Sequence, residues 1–205
     1  MLAIHPDILD RDGSVAGAGA FPRSLTEIEL AQWLESMAPE VARRWSQELR
    51  ARSGRKEGPL ESVQDELLEA IARFMGPAVG PWRDEVEPLL HQVAHLYGNV
   101  AALRALAVGE VVEEVQLLRE VLFRLLFREA TPEAGSRGVE LRELLRLNRV
   151  VDQVVTHADI AHVDALFFNL LHGTGVTETP GEELMKGIRQ DLEHLLEELG
   201  TLRSG

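Results

Sequence analysis

Two histidines at helical spacing are the first residues of this chain that could do chemistry. His91 and His95 lie four residues apart, so a helix would place both imidazoles on one face at a spacing that can chelate a metal ion. No glutamate follows His91 directly, so the zinc-protease motif is absent, and a third ligand would have to come from another helix. A polar or half-buried helix face is the favoured interpretation, and we predict no metal site.

Other cofactor sites need more partners than the sequence offers. A single proximal histidine can hold haem iron, and His91 or His95 would be the candidate, so haem stays open although we expect no cofactor. Di-iron bundles use paired Glu-x-x-His motifs, and the nearest match is one Asp-x-x-His run at 191–194. His157 and His162 lie five residues apart, too far round a helix for joint ligation, and are predicted to be surface or interface groups.

Nucleophilic catalysis finds no support in the sequence. The chain has no cysteine, which excludes thiolate nucleophiles, thiolate metal sites and disulfides. There is no G-x-S-x-G motif. The glycines at 17–19 lack the lysine that a phosphate-binding loop requires. We therefore predict a protein that is not an enzyme.

Polar residues inside very apolar segments are a second feature of interest. The segments 113–127 and 147–155 both read as helices that are apolar on most faces, and such helices belong inside a bundle. Polar groups held there need partners. We expect Arg119 to meet Asp152 inside the bundle, with Asn148 beside them, and breaking such a pair would cost about 3–5 kcal/mol. The alternative, in which each side chain points into solvent, stays open.

The remaining chain predicts an all-α fold. Leucine, valine and alanine dominate and aromatic residues make up only 5%, which favours helices over sheets. A loose arm (1–23), a helical domain (24–171), a linker (172–181) and a C-terminal amphipathic helix (182–205) follow from periodicity and breakers. Within the domain and the C-terminal segment, the predicted helices number six or seven: 25–36, 39–52, 60–75, 81 or 88 to 107, 110–129, 139–171 and 182–202.

The last predicted helix carries a heptad seam and an acidic outer surface. Its apolar residues recur at spacings of four and three, as in a coiled coil: Ile188, Leu192, Leu195, Leu199 and Leu202. This helix could pair with its copy in a homodimer or lie against the bundle. Its acidic faces also suit an adaptor that binds protein partners. Elsewhere, an apolar pocket for a small lipid-like ligand could be lined by Phe74, Leu118, Leu122 or Phe123.

The charge balance limits the possible partners. The chain has 21 Lys and Arg residues against 34 Asp and Glu, a net charge of −13. Such a surface repels phosphate backbones and anionic lipid, so we expect neither nucleic acid nor membrane as a partner. There is no run of 18 apolar residues and no secretory signal at the start, and we expect a cytoplasmic protein.

Short motifs on three predicted helices resemble a known sensor family. They are H-L-Y-G at 95–98 with Arg104, then Glu114, Leu118 and Arg119, then L-N-R at 147–149 with Asp152. Together, over residues 25–171, they resemble the RsbRD-type N-terminal sensor domain of stressosome co-antagonists and bacterial sensor histidine kinases. The resemblance implies a globin-like domain, generally without haem, that forms homodimers and signals to a downstream domain or protein partner.

The resemblance also assigns roles to particular residues. It implies that Glu114, together with Arg119, Asn148 and Asp152, makes structural or signalling polar contacts. It implies that the last helix acts as a signalling helix that passes a change in dimer packing onward. The function expected from the sequence is therefore that of a non-catalytic sensory or regulatory input domain, for which haem or metal binding at His91 and His95, or an adaptor role, are the alternatives.

Overall fold

Within the residues that it describes, the structure, a computed structural model, is entirely helical. It describes residues 25–53, 58–129, 139–172 and 182–204, where six helices and no strands occur. The prediction of an all-α bundle of six or seven helices is therefore confirmed. The predicted arm (1–23) and nearly all of the predicted linker (172–181) lie outside the described residues. The helices are α1 (Glu27–Ser53), α2 (Pro59–Val79), α3 (Arg83–Leu103), α4 (Val108–Glu129), α5 (Leu141–His172) and α6 (Glu182–Ser204).

The first helix runs through a proline that was expected to divide it. A reciprocal capping box begins α1, because the Glu29 amide donates to Thr26 Oγ1 at 3.3 Å and the Thr26 amide donates to Glu29 Oε2 at 2.9 Å. Pro39 lies inside the helix, so the prediction of two separate helices is wrong. Buried side chains on both sides of the proline share one face, and their packing outweighs the lost hydrogen bond: Leu30, Leu34, Ala38, Val41 and Trp45.

The break between the next two helices falls later than the glycines and prolines suggest. α2 continues through Gly76 and Pro77 to Val79, whereas the sequence predicted an end near residue 75. Every residue from Phe74 to Val79 is buried, and this burial holds the last turn in helical form. α3 then starts at Arg83 and contains Pro88 within its second turn.

The bundle is built around α3. This helix packs against α2, α5 and α6, while α1 packs against α2 and α4, and α5 closes over α3 and α4. The largest fully buried side chains come from α1 to α4, among them Trp45, Tyr97, Phe74 and Leu118. This packing order does not establish the globin-like arrangement that the resemblance implies, and that arrangement stays a prediction.

The last helix lies against the bundle, which was one of its two expected positions. α6 rests on α2 and α3. Its heptad seam packs against the bundle of the same chain. Five of its apolar side chains are only 5–7% exposed: Met185, Ile188, Leu192, Leu195 and Leu199. Exposed ion pairs join Arg189 to Glu66 at 2.9 Å and Arg203 to Glu35 at 2.7 Å.

The fifth helix is long and unusually apolar. By length and composition alone, the segment Leu141–Leu171 could cross a membrane, and 22% of its most apolar window is buried in the fold. Mostly buried core helices of soluble proteins pass the same test, and a single such helix does not by itself assign a membrane span.

α3 and α5 cross closely because Gly98 has no side chain. A Cβ atom at this position would lie 2.1 Å from the backbone oxygen of Ala158. Since that oxygen belongs to a helix backbone, it cannot move aside as a flexible side chain could. Gly98 therefore sets the distance between α3, which carries His91 and His95, and α5, which carries His157.

We predict that Gly98→Ala lowers the free energy of unfolding by about 1–3 kcal/mol, because the two helices must move apart. Gly187→Ala is the matched control, since nothing lies within 4 Å of its added Cβ inside α6. That control should raise stability by about 0.5–1 kcal/mol through helix propensity. Urea unfolding measures both, and equal effects of the two substitutions would contradict the close crossing.

Candidate functional site

A cluster of buried polar side chains joins three helices. Trp45, Tyr97, Arg104 and Glu114 form what we call the buried polar cluster. The Arg104 guanidinium donates two hydrogen bonds to the Glu114 carboxylate, from Nη1 to Oε2 at 2.8 Å and from Nη2 to Oε1 at 2.7 Å. The Tyr97 hydroxyl donates to Oε2 at 2.5 Å, and the Trp45 indole donates to the Glu114 carbonyl at 2.7 Å. α1, the end of α3 and α4 are thereby held together.

The burial of this cluster determines its chemistry. The Arg104 and Glu114 side chains are 4% and 11% exposed, and Tyr97 is fully buried. Burial, reinforced by the Glu114 carboxylate, raises the pKa of Tyr97 well above its usual value, so the phenol remains a donor. Burial lowers the pKa of Arg104, but its hydrogen bonds and charge interaction with Glu114 outweigh this and raise it. The cluster is therefore shielded from solvent, and its role is to hold the three helices together.

A tight turn aims Arg104 into the cluster. Ala105 follows α3 with a φ of 56°, the left-handed conformation that glycine usually supplies at a helix end. For alanine this conformation costs about 1–2 kcal/mol. His162 of α5 is fully buried, and its Nε2 lies 3.0 Å from the Leu106 carbonyl, so α5 supports the turn. His162 was predicted to be a surface or interface group, and the surface position is wrong, because α5 turns this residue toward the α3–α4 turn.

The predicted pair of Arg119 and Asp152 forms, but at the surface. Arg119 Nη2 donates to Asp152 Oδ1, and Asn148 Nδ2 donates to Asp152 Oδ2 at 3.0 Å. The prediction that this pair lies inside the bundle is wrong, because the Asp152 side chain is 56% exposed. The sequence could not show that these polar residues face the rim of the α4–α5 contact. The interior charged pair is formed by Glu114 and Arg104 instead. Any signalling role for these contacts stays a prediction.

The residues expected to line an apolar pocket lie in and beside the core. Phe74, Leu118 and Leu122 have no exposed surface, and Phe123 is half-buried and packs against the core. They contribute to the packing that surrounds the buried polar cluster. A ligand pocket at these residues stays a prediction.

Four of the chain's seven histidines line one cleft where α3, α5 and α6 meet. We call this the histidine cleft. α3 supplies His91 and His95 one turn apart, α5 supplies His157, and α6 supplies His194 with Asp191. The predicted helical spacing of the first two histidines explains their shared face. The contributions of α5 and α6 depend on how the helices pack, which the sequence does not show.

Three of these imidazoles are in direct contact. The rings of His91 and His157 stack with centroids 3.7 Å apart and planes 18° from parallel. His95 Nε2 and His157 Nδ1 lie 3.2 Å apart, a hydrogen bond whose donor depends on the tautomer. The nearest carboxylate is that of Glu87, with Oε1 4.0 Å from His91 Nε2. The prediction that His157 is a surface or interface group missed this stack.

The stack lies between two clefts. His91 and His157 line the histidine cleft and also a second cleft on the outer side of α5, beside Arg149, Asp152 and Thr156. A change in the charge or position of these rings therefore alters the lining of both clefts.

The electrostatics of the stack favour neutral rings. Burial lowers the pKa of His91, as does the charge of His95, against an opposing effect of Glu87. Burial also lowers the pKa of His157, as do the charges of His91 and His95. Protonation near neutral pH therefore works against the folded arrangement. Among the described residues, no three His, Asp or Glu side chains are arranged so that they could hold a metal ion.

Comparisons of the chain with protein-family models, curated proteins and solved structures give no significant match. The resemblance to the RsbRD-type sensor domain accordingly stays a prediction.

We predict that Glu114→Gln lowers the free energy of unfolding by about 3–5 kcal/mol, because it leaves the Arg104 charge buried without its counter-ion. The matched control is Asp152→Asn, which breaks an exposed pair and should cost less than about 1 kcal/mol. Chemical denaturation of both variants measures the difference. Equal losses would show that the buried polar cluster is no more important than the surface pair.

We predict that stability falls as the pH is lowered from about 7.5 to 5.5. His91 and His157 have lowered pKa values in the folded protein, so the unfolded chain binds more protons once the pH falls through the ordinary histidine pKa of about 6.5. His157→Gln should make this loss smaller. Urea unfolding at several pH values tests it, and a slope unchanged in the variant would contradict the role of the stack.

Proposed function

We propose that this chain is a non-catalytic sensory or regulatory input domain of a bacterial signalling protein. In this proposal it works as a homodimer and relays a stimulus through a change in helix packing. The observation that carries the proposal is the histidine cleft, where ionisable side chains from α3, α5 and α6 converge. The motif resemblance described above points to the same class of protein.

The histidine cleft has the properties of an input site. Histidine is the side chain whose charge changes most readily near physiological pH. Protonation or a ligand that binds one ring arrangement better than another would shift the packing of α3 against α5. Because His194 and Asp191 belong to α6, the same event also acts on the docking of that helix.

α6 is attached in a way that permits such a change. It contacts the bundle through one apolar face, and its ion pairs to α2 and α1 are exposed, so each contributes little. Helices held by one face belong to the less stable parts of a fold. The rest of the bundle is held by the buried polar cluster, which does not involve α6. We propose that α6 is the moving element and that α1, α3 and α4 form the fixed frame.

A pulsed electron-spin distance measurement tests this proposal, and the absence of native cysteines makes labelling straightforward. Labels at Glu85→Cys and Gln190→Cys, both exposed positions, report the distance between α3 and α6. Lowering the pH from 7.5 to 5.5 raises the protonated fraction of the stack, and this perturbation requires no knowledge of the natural stimulus. We predict a shifted or broader distance distribution for this pair, because protonation weakens the contacts around the cleft.

The control pair is Arg52→Cys with Glu113→Cys, exposed positions on α1 and α4 within the fixed frame. Its distance distribution should not change over the same pH range. Adding His157→Gln to the α3–α6 pair should reduce the response. Identical distributions at both pH values for the α3–α6 pair would refute the relay through α6.

A further inference from the structure

One ring nitrogen of the histidine stack is buried without a hydrogen bond. Among the described residues, nothing donates to His91 Nε2 or accepts from it. Most buried polar atoms in proteins have a partner, so this atom calls for an explanation. The nearest carboxylate is that of Glu87, one turn earlier on α3, whose Oε1 lies 4.0 Å away. That distance is about 1 Å too long for a hydrogen bond.

The Glu87 carboxylate is bonded to α5 instead. Its Oε1 accepts a hydrogen bond from the Gln153 side-chain amide. Arg149 Nη2, also on α5, lies 3.9 Å from the same oxygen, and Arg83 Nε of α3 lies 3.6 Å from Oε2. The Glu87 side chain is only 20% exposed, so these contacts are made largely out of solvent. The carboxylate therefore joins α3 to α5 beside the stack.

The charge of His91 decides which partner suits this carboxylate better. A neutral imidazole has one donor and one acceptor nitrogen, whereas a charged ring has a donor at both. Nε2 of a charged ring is therefore a donor that faces a carboxylate. This contact adds the attraction of opposite charges at short range, which the neutral amide of Gln153 does not supply.

The carboxylate is freer to move than the ring. His91 is stacked on His157 with ring centroids 3.7 Å apart, so its position is tied to α5. Glu87 has a flexible side chain and lies four residues before His91 on the same helix, a spacing at which side chains meet. The gap of about 1 Å is therefore closed by the carboxylate, which turns along α3 toward the ring.

We propose that Glu87 responds to the charge of His91 by exchanging partners: when the ring is protonated, the carboxylate leaves the Gln153 amide and accepts a hydrogen bond from His91 Nε2. A contact between two helices is then replaced by one within α3, and α5 is held less firmly at the second cleft. This inference deepens the proposed function, on which it rests, because it names the contact through which protonation changes the packing of α3 against α5.

Other charged groups act on the same exchange. The charged or titratable groups that surround the ring come from three helices: Arg83, Glu87 and His95 of α3, Arg149, Asp152 and His157 of α5, and Asp191 and His194 of α6. Arg83 and Arg149 attract the carboxylate in both states, because arginine keeps its charge. Burial lowers the pKa of His91, the Glu87 carboxylate opposes this, and the charge of His95 adds to it. The exchange therefore begins only when the pH falls below the ordinary histidine range.

The Gln153 side-chain amide supplies the test, because its nuclear magnetic resonance signal reports on a bond that His91 does not make. In the full chain this signal should shift as the pH is lowered from about 8 to 5, with the same midpoint as the ring signals of His91. Gln153→Ala and His91→Gln assign the two signals. The control amide is that of Gln47 on α1, which Arg43 holds at 2.9 Å and which should not follow His91.

Glu87→Gln removes the charge and keeps an oxygen for the Gln153 amide. It should abolish the shift of the Gln153 signal and weaken proton binding by His91 about threefold or more, because the carboxylate that opposes the effect of burial is lost. The matched control is Glu48→Gln, which breaks an exposed pair with Arg124 and should change neither quantity. Circular dichroism confirms that each variant is folded.

The outcomes separate this inference from the proposed function. A Gln153 signal that stays constant while His91 titrates, or that still shifts in Glu87→Gln, would overturn the exchange and leave a relay from the stack through another contact. A ring of His91 that stays neutral down to about pH 5 would overturn it as well. A Gln153 signal that follows His91, together with an unchanged distance between α3 and α6, would support the exchange and refute the relay through α6.

Discussion

The Glu114 carboxylate, held by Arg104 and Tyr97, is the contact on which the arrangement of the bundle depends. A buried ion pair is costly to desolvate, and it is tolerated only when both partners and their remaining hydrogen bonds are in place together. Here this requires the end of α3, the start of α4 and Trp45 of α1 to be positioned at once. Apolar packing is not directional, whereas the hydrogen bonds of the cluster require defined orientations of the helices that carry them. The cluster thus specifies the frame more than it adds to stability.

In the proposed function, α1, α3 and α4 form the fixed frame and α6 is the element that moves. α5 is held by its buried face and by the close crossing at Gly98, yet several of its large apolar side chains are exposed. α6 adds a second layer over α2 and α3 through a single apolar face. The histidine cleft lies where α5 and α6 meet α3.

Local features of this fold could be predicted, and those that depend on helix rotation could not. Among the described residues, periodicity identified where the helices lie, although not every boundary, and the spacing of His91 and His95 placed both on one face. The prediction that Pro39 divides α1 was wrong, because the packing of the buried side chains on both sides of the proline outweighs its low helix propensity. Arg119 and Asp152 were paired correctly but placed inside, since an apolar segment does not reveal which polar residue faces the rim. His157 was missed because its partners lie on α3, and no local pattern encodes the register between α3 and α5.

His157 connects the stack to the outer side of α5. Its ring belongs both to the stack in the histidine cleft and to the second cleft beside Arg149, Asp152 and Thr156. In the proposed function, a change in the packing of α3 against α5 alters the surroundings of this ring and therefore its pKa. By linkage, protonation of the ring must shift the packing equilibrium to the same degree. A stimulus that favours charged rings and a packing that separates them would then shift one and the same equilibrium.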